Sequence, residues 1–268
     1  MNLLLVEMRR AMHRRLVRWM IALAVFGCAF MGFIAFITSG DLSPQDYADG
    51  HPAIMAKWFQ AGTGDGMNGF TAGFLAIGAV ICAASYAGAE WKAGTITTVL
   101  TWEPSRGKLH ACRTASAAIL SFVISFALQW VMVLAVLPAV LINGDSGGTD
   151  GEWWAGFVLA MLRVSLVTAF VAVLAMSIAT IGRNTASALV IIAAWALVIE
   201  GVVRGLKPKL AEYLIGENVV TIVPWKQLEN VEFDRSPAVS LANIAVYLGL
   251  IAFAAGWSFV RRDVVATS

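Results

Sequence analysis

Residues 157–205 read FVLAMLRVSLVTAFVAVLAMSIATI, then GRNT, then ASALVIIAAWALVIEGVVRG. A helix needs about 20 apolar residues to cross the roughly 30 Å hydrocarbon core of a membrane. The first run has 25 residues and the second has 20, and four residues separate them. The stretch therefore predicts two membrane-spanning helices joined by a tight turn at one side of the bilayer.

Four more runs of this kind occur along the chain. The six predicted spans are residues 19–38, 69–88, 114–142, 157–181, 186–205 and 241–260. Charged residues make up 13% of the chain, about half of the roughly 25% usual in soluble domains. The mean hydropathy of +0.76 agrees. We therefore predict an all-α integral membrane protein. The composition argues against a soluble enzyme, and the widely spaced Cys28, Cys82 and Cys112 predict neither disulfides nor a metal site.

The distribution of basic residues predicts the orientation of these spans. If the N-terminus is cytoplasmic, the inner segments contain twelve Lys and Arg residues and the outer loops contain five. Cytoplasmic loops of membrane proteins carry an excess of Lys and Arg. We therefore expect a multi-pass protein of the cell membrane with both termini in the cytoplasm.

Residues 1–18, before the first span, predict an amphipathic helix. Apolar and basic side chains recur on different faces, the apolar ones being Leu5, Met8, Met12, Leu16 and Trp19 and the basic ones Arg10, Arg14 and Arg18. Such a helix lies in the membrane interface, where anionic lipid headgroups attract its cations. The alternative is a simple topology signal at the start of the chain.

The inner segment between the second and third spans, residues 88–113, reads GAEWKAGTITTVLTWEPSRGKLHACR. Thr95 is a suitable N-cap for a short helix with Ile96, Val99 and Leu100 on one apolar face, and Pro104 would stop that helix. We expect the helix to lie against the inner membrane surface. Its position would let it transmit a push from a cytoplasmic partner to both neighbouring spans.

The residue pattern of this segment resembles the inner loop of type-2 ABC exporter permeases. In that family the pattern is approximately E-x-x-x-G-T, then L-L, then P-x-S-R or P-S-R, then Lys. The matching residues here are Glu90, Gly94-Thr95, Val99-Leu100, Pro104-Ser105-Arg106 and, where Lys is usual, Arg113. Two further pieces are similar to the family, namely Gly182-Arg183-Asn184-Thr185 and the closing Trp257-x-Phe259-x-Arg261-Arg262-Asp263.

The resemblance implies one permease domain over residues 1–268. Residues 1–18 would form an elbow helix, and residues 89–113 would form a cytoplasmic coupling loop. It also implies a dimer, of identical or different halves, and a separate ABC ATP-binding subunit that docks on the loop and drives export. The coupling residues so implied are Glu90, Trp91, Lys92, Gly94, Thr95, Val99, Leu100, Pro104, Ser105 and Arg106.

The sequence agrees with an ATPase site on another chain. It contains no G-x-x-x-x-G-K-[ST] motif, the loop whose backbone amides cradle phosphates. We therefore expect a transport subunit that is not itself an enzyme, with ATP and Mg on the partner and no cofactor on this chain. Membrane lipids are the other expected partner, and nucleic acid is not expected. The alternative for the loop is an ordinary linker anchored in the interface by Trp91 and Trp102.

A few polar residues interrupt the spans. Counted along the helices from Arg183, Arg163 and Glu200 lie at similar depth near the outer face, which predicts an ion pair between them. This pair would be either an outer gate or a static link. Arg204 is a competing partner for Glu200. An ion-coupled secondary transporter using Glu200 and Arg163 is the alternative function. Ser121, Ser125 and Gln129 either line a substrate path or form hydrogen bonds between helices.

Small residues line one face of the second span. They are Gly69, Gly73, Ala76, Ala83 and Ala87. Small side chains let helix backbones approach closely, so this face is expected to pack tightly on another helix. In the outer segments 39–68 and 206–240 we expect short helices.

Overall fold

A computed structural model describes residues 2–43, 45–46, 50–58, 67–225, 228–229 and 234–261. Six helices in these ranges are long and apolar enough to cross a membrane. The prediction of a multi-pass, helical membrane protein is thereby confirmed; the described residues also include one short hairpin with two residues in each strand.

The helices follow the predicted runs closely. Their bounds are α1 Leu3–Met12, α2 Arg15–Thr38, α3 Met67–Lys92, α4 Thr95–Trp102, α5 Arg106–Ile142, α6 Gly151–Gly182, α7 Thr185–Ala194, α8 Glu200–Leu206, α9 Ile215–Ile222 and α10 Pro237–Arg261. A π-helical segment, Trp195–Ile199, joins α7 to α8 within the fifth span. Strands β1 Leu228–Glu229 and β2 Asp234–Arg235 pair antiparallel before α10. Short 3₁₀ turns occupy Ser39–Asp41, Met55–Lys57 and Pro208–Tyr213.

Helix α6 is the centre of the bundle. It packs against α3, α5 and α10, and half of its most apolar window is buried. In the fifth span, Thr185–Leu206, 11% of the most apolar window is buried. The fifth span therefore lies at the periphery, and its apolar side chains face outward.

Small side chains form the contact between α3 and α6. The stripe of small residues on the second span predicted part of this contact. Ala83 and Ala87 pack with alanines of α6. Gly88 is equally close to the start of α7, since a Cβ on Gly88 would lie 2.7 Å from the Cα of Thr185. Gly69 and Gly73 instead lie exposed, so close packing is confined to the second half of α3.

Helix α5 is longer than a membrane requires. Its 37 residues extend about 55 Å, against roughly 30 Å of hydrocarbon. Its first turns, which begin at Arg106, therefore extend beyond the apolar core. These turns, with the ends of α3 and α10 and with α1 and α4, form one end of the bundle.

Candidate functional site

Helix α4 lies across this end of the bundle. Gly94 precedes it with φ +65°, the left-handed conformation that glycine adopts without strain, and this lets the chain reverse after α3. Gly94 is thus the N-cap, and the prediction that Thr95 caps the helix is wrong. Thr95 is instead the first helical residue. The helix ends at Trp102, two residues before Pro104, as the sequence predicted.

One face of α4 packs against the protein. Ile96 is buried with Leu109 of α5 and Phe259 of α10, and Val99, Leu100 and Trp91 pack around them. The apolar pair Val99 and Leu100 therefore anchors α4 and is not its free surface. The exposed face carries Thr95, Thr98, Thr101 and Trp102, whose side chain is 86% exposed.

The other residues implied for coupling divide between surface and interior. Lys92, Pro104 and Ser105 are exposed. Arg106 donates to the carbonyl oxygen of Val260 at 3.5 Å, which ties the start of α5 to the end of α10. Trp91 packs edge-on against Phe259, with the Arg183 guanidinium 4.5 Å above its ring. The Trp91 ring is thus fixed by contacts with Phe259 and Arg183.

Glu90 is not on the surface of the loop. Its side chain is 2% exposed and accepts a hydrogen bond from the Arg113 guanidinium at 2.5 Å. Arg10 lies 3.1 Å and Arg14 lies 3.7 Å from its other oxygen. The sequence pattern had placed Glu90 and Arg113 in one motif without predicting that they pair. A direct contact of Glu90 with a docking partner is therefore excluded in this conformation.

Glu7 of α1 is the second buried carboxylate here, and the sequence analysis missed it. The Tyr86 hydroxyl donates to one Glu7 oxygen, and Nε of Arg113 lies 3.7 Å from it. Arg10 lies 3.5 Å from the other oxygen. The available signal was that Glu7 is the sole acidic residue in 1–18, a stretch that contains five arginines.

We call Glu7, Arg10, Arg14, Glu90 and Arg113 the buried ionic cluster. It joins α1, α3, α5 and the turn before α2. Tyr86 lies between its arginines, with the Arg14 and Arg113 guanidinium groups 5.2 and 5.1 Å from its ring centre. Burial lowers the pKa of Arg14, and the Glu90 carboxylate opposes that shift. Arg10 and Arg14 were predicted to face lipid headgroups, but both turn inward to carboxylates.

The predicted ion pair between Arg163 and Glu200 is not formed. The Arg163 guanidinium lies 5.0 Å from the ring centre of Trp225. Glu200 accepts hydrogen bonds from the backbone N–H of Gly216, at 3.0 Å, and from Nε1 of Trp195, at 3.1 Å. Arg204 does not pair with Glu200 either.

Arg204 instead bonds Glu217 at 2.6 Å. Together with the Glu200–Gly216 hydrogen bond, this contact fixes α8 to α9. The π-helical segment before Glu200 explains the wrong prediction, because one added residue turns the following side chains by about 100° around the helix. Similar depth along the helix axes was therefore not enough to predict that Arg163 and Glu200 pair.

Exchanging the charges in the variant Arg163→Glu with Glu200→Arg is expected not to rescue either single change. Side chains without shared partners have additive effects, within about 0.3–0.5 kcal/mol. Thermal unfolding of the single and double variants in detergent measures the coupling. The matched control is Arg204→Glu with Glu217→Arg, where partial rescue is expected. Rescue in the first pair and none in the second would contradict these assignments.

Gln129 and Ser125 form hydrogen bonds between helices. Nε2 of Gln129 donates to Oγ of Ser165 at 3.0 Å and to the carbonyl oxygen of Met161 at 3.1 Å. Oγ of Ser125 donates to Oγ1 of Thr168 at 3.3 Å. Of the two alternatives for these residues, the interhelical bond is therefore the observed one. Ser121, one turn away, lines a cavity of about 460 Å³ between α2, α3 and α5.

Comparison with known proteins adds no family assignment. No protein-family model matches the chain, and no curated protein matches it. Of the closing motif, Arg261 is described, with its guanidinium 3.6 Å from the Trp257 ring centre, whereas Arg262 and Asp263 lie outside the described residues. Function must therefore be inferred from the geometry of the site itself.

Proposed function

We propose that this chain is the permease subunit of an ABC transporter of the type-2 exporter class, driven by a separate ATP-binding subunit that docks on α4. The observation that carries the proposal is the two-sided character of α4. Its apolar face is packed into the end of the bundle, while its other face presents three threonines and Trp102 to the outside. A surface helix held this firmly can transmit a displacement to the spans behind it.

The buried ionic cluster supports this proposal. Interactions between charges buried away from water are stronger and less screened than those on a surface. The cluster ties α3, which leads into α4, to α5, which leaves it, and to α1. A force on α4 would therefore move three helices together. The excess of Lys and Arg in the segments at this end favours a cytoplasmic position, where ATP is available.

In this assignment α1 is the elbow helix on the inner membrane surface. On α1, Leu5 is 53% exposed and Arg9 is exposed, and at the start of α2 Arg15, Arg18 and Trp19 are exposed beside them. Exposed apolar and basic side chains together suit an interfacial position. The two subunits of the transporter would each contribute six spans, and export would follow from ATP turnover on the partner chains.

Purification of the chain from its native membrane under mild detergent tests the proposal. We expect a second protein with a G-x-x-x-x-G-K-[ST] motif to co-purify, and mass spectrometry will identify it. The pair, reconstituted in vesicles, should hydrolyse ATP faster than the second protein alone. A variant with Thr98 and Thr101 both changed to Arg should lose this partner. Transport activity of the chain alone in vesicles would contradict the proposal.

A further inference from the structure

The cavity of about 460 Å³ is a groove between α2 and α3, with α5 as its floor. Each of the two helices is fixed to a different neighbour. Gly32 of α2 lies so close to α5 that a Cβ on it would be 2.9 Å from the Cβ of Ala135. Helix α3 instead packs on α6 through its small residues. Because neither contact closes the space between α2 and α3, a gap remains, and its volume lies within the roughly 300–1,000 Å³ of ligand pockets.

The wall of the groove carries no charge. None of the described residues that line it is Asp, Glu, Lys, Arg or His. Leu23 and Phe30 of α2 and Phe74 of α3 form its rim and are exposed on the surface of the bundle. The lining on α2 extends from Val17 to Met31, about 21 Å along the helix. A charged group in this space would have neither water nor a counter-ion, so the groove suits an uncharged, elongated molecule.

The hydroxyl groups that α5 and α6 present to the groove differ in their hydrogen bonds. Ser125 donates to Oγ1 of Thr168 at 3.3 Å, and Thr168 donates to the carbonyl oxygen of Val164 at 2.8 Å. The hydroxyl hydrogens of both residues are therefore used within the protein. Ser121 lies one turn before Ser125 and also lines the groove, but in the part of the chain that the structure describes its hydroxyl group has no hydrogen-bond partner. Ser121 thus presents an unused donor to the groove.

This donor lies within the hydrocarbon part of the membrane. Ser121 follows Thr114, the first residue of the predicted third span, by seven residues, about 10 Å along the helix. The ester groups of phospholipids lie in the interfacial region, outside the roughly 30 Å hydrocarbon core. An acceptor that meets the Ser121 hydroxyl group therefore belongs to a molecule whose oxygen atom enters the hydrocarbon. Because an unpaired hydroxyl group is unfavourable in an apolar medium, binding of such an acceptor is favoured.

We propose that this groove binds an uncharged, elongated lipophilic molecule with a carbonyl or ether oxygen within its chain, and that the Ser121 hydroxyl group donates a hydrogen bond to that oxygen. The uncharged wall discriminates against cationic and anionic amphiphiles. The Ser121 donor distinguishes the ligand from a plain hydrocarbon chain. The site does not depend on the proposed ATP-driven function, since it requires only that the chain spans a membrane.

The test uses the full chain in phosphatidylcholine nanodiscs and a long-chain dialkyl ketone that carries a photoreactive diazirine close to its carbonyl group. Mass spectrometry locates the labelled peptides, and we expect saturable labelling of residues 17–31, 71–83 and 117–128. Unlabelled ketone should displace the probe, whereas the alkane of equal length should do so about fivefold less well, as expected for the loss of one hydrogen bond. Labelling that only rises in proportion to probe concentration, or equal displacement by ketone and alkane, would overturn the proposal.

Charged competitors test the uncharged wall. A quaternary alkylammonium and an alkyl sulfonate, each with the chain length of the ketone, should displace the probe less well than the ketone does. Both compounds keep their charge at every working pH, so protonation does not affect the comparison. Displacement by either of them as effective as that by the ketone would show that the groove does not select uncharged ligands, and the proposal would fail.

Variants of Ser121 test the hydrogen bond. Ser121→Ala should lose the preference for ketone over alkane, because the donor is gone while the apolar wall remains. Ser121→Thr keeps a hydroxyl group and should retain most of the preference. Thermal unfolding of both variants in detergent identifies any loss of fold. A preference for ketone that persists in Ser121→Ala would rule out the assigned donor.

Glycines allow matched variants that fill the groove. A Cβ on Gly27 meets no atom within 4 Å, and one on Gly78 meets only the end of Met20 at 3.8 Å. Gly27→Phe and Gly78→Phe should therefore be accommodated and should abolish saturable labelling. Gly249→Phe on α10, also without neighbours within 4 Å, is the control and should label as the wild type does. Unchanged labelling in both groove variants would mean that the ligand binds elsewhere and would overturn the proposal.

Discussion

Replacing Glu90 with glutamine is expected to lower the free energy of unfolding by about 3–5 kcal/mol. Removing one partner of a buried ion pair leaves the other charge without compensation in a medium that solvates it poorly. Glu90 contacts Arg10, Arg14 and Arg113, and the Arg113 side chain is 4% exposed. Three guanidinium groups would then face Glu7 alone. The measurement is thermal and denaturant unfolding of the purified protein in detergent.

A double variant and an exposed pair provide the controls. Glu90→Met with Arg113→Met removes one charge of each sign, so the cluster keeps its net charge, and much of the lost stability should return. Glu103→Gln removes a carboxylate that bonds Lys108 at 3.1 Å, but the Lys108 side chain is 60% exposed. Exposed pairs contribute about 0–1 kcal/mol, so this change should be small. Equal losses for Glu90→Gln and Glu103→Gln would contradict the structural role of the cluster.

The burial of Glu90 changes how the loop pattern is interpreted. The resemblance to type-2 ABC permeases groups Glu90 with residues that meet the ATP-binding subunit, and changing it would then uncouple ATP turnover without loss of protein. In the structure Glu90 contacts α1 and α5, so we expect its replacement to destabilise the fold before any effect on coupling can be measured. A test of coupling must therefore use exposed residues of α4.

The spans could be predicted from the sequence because hydropathy and length are local properties. The end of α4 before Pro104 is local in the same way, since proline restricts the backbone where it stands. Each of these predictions needed no knowledge of neighbouring helices.

Contacts between distant segments could not be predicted in this way. The burial of Glu7 depends on Tyr86 and Arg113, which lie about eighty and a hundred residues further along. The inward face of α4 is chosen by Leu109 and Phe259, from two other helices. For Arg163 and Glu200 the residue count along each span predicted a similar depth, but it could not predict the direction of each side chain around its helix. The π-helical segment that changes this direction carries no clear sequence signal.

If the proposed ATP-binding subunit docks on α4, changing Trp102 to alanine is expected to weaken its binding by about 30-fold or more. Tryptophan is enriched among interface residues that each contribute at least about 2 kcal/mol, which corresponds to that factor. Trp102 is 86% exposed at the end of α4, beside the exposed Thr98 and Thr101. Its removal should not affect folding, because Ile96 and its neighbours anchor the opposite face of the helix.

Titration of the co-purified ATP-binding subunit against the chain in nanodiscs measures this affinity. Trp102→Phe keeps an aromatic ring and should retain most of the binding. Trp19→Ala is the matched control, because Trp19 is also exposed, at 74%, and lies near the same end of the bundle. If Trp102 instead anchors α4 in the lipid interface, both alanine variants will bind the subunit as the wild type does, and membrane insertion will be the property that changes. Loss of binding specific to Trp102→Ala requires that the partner contacts this face of α4, because both tryptophans are largely exposed but lie on different helices.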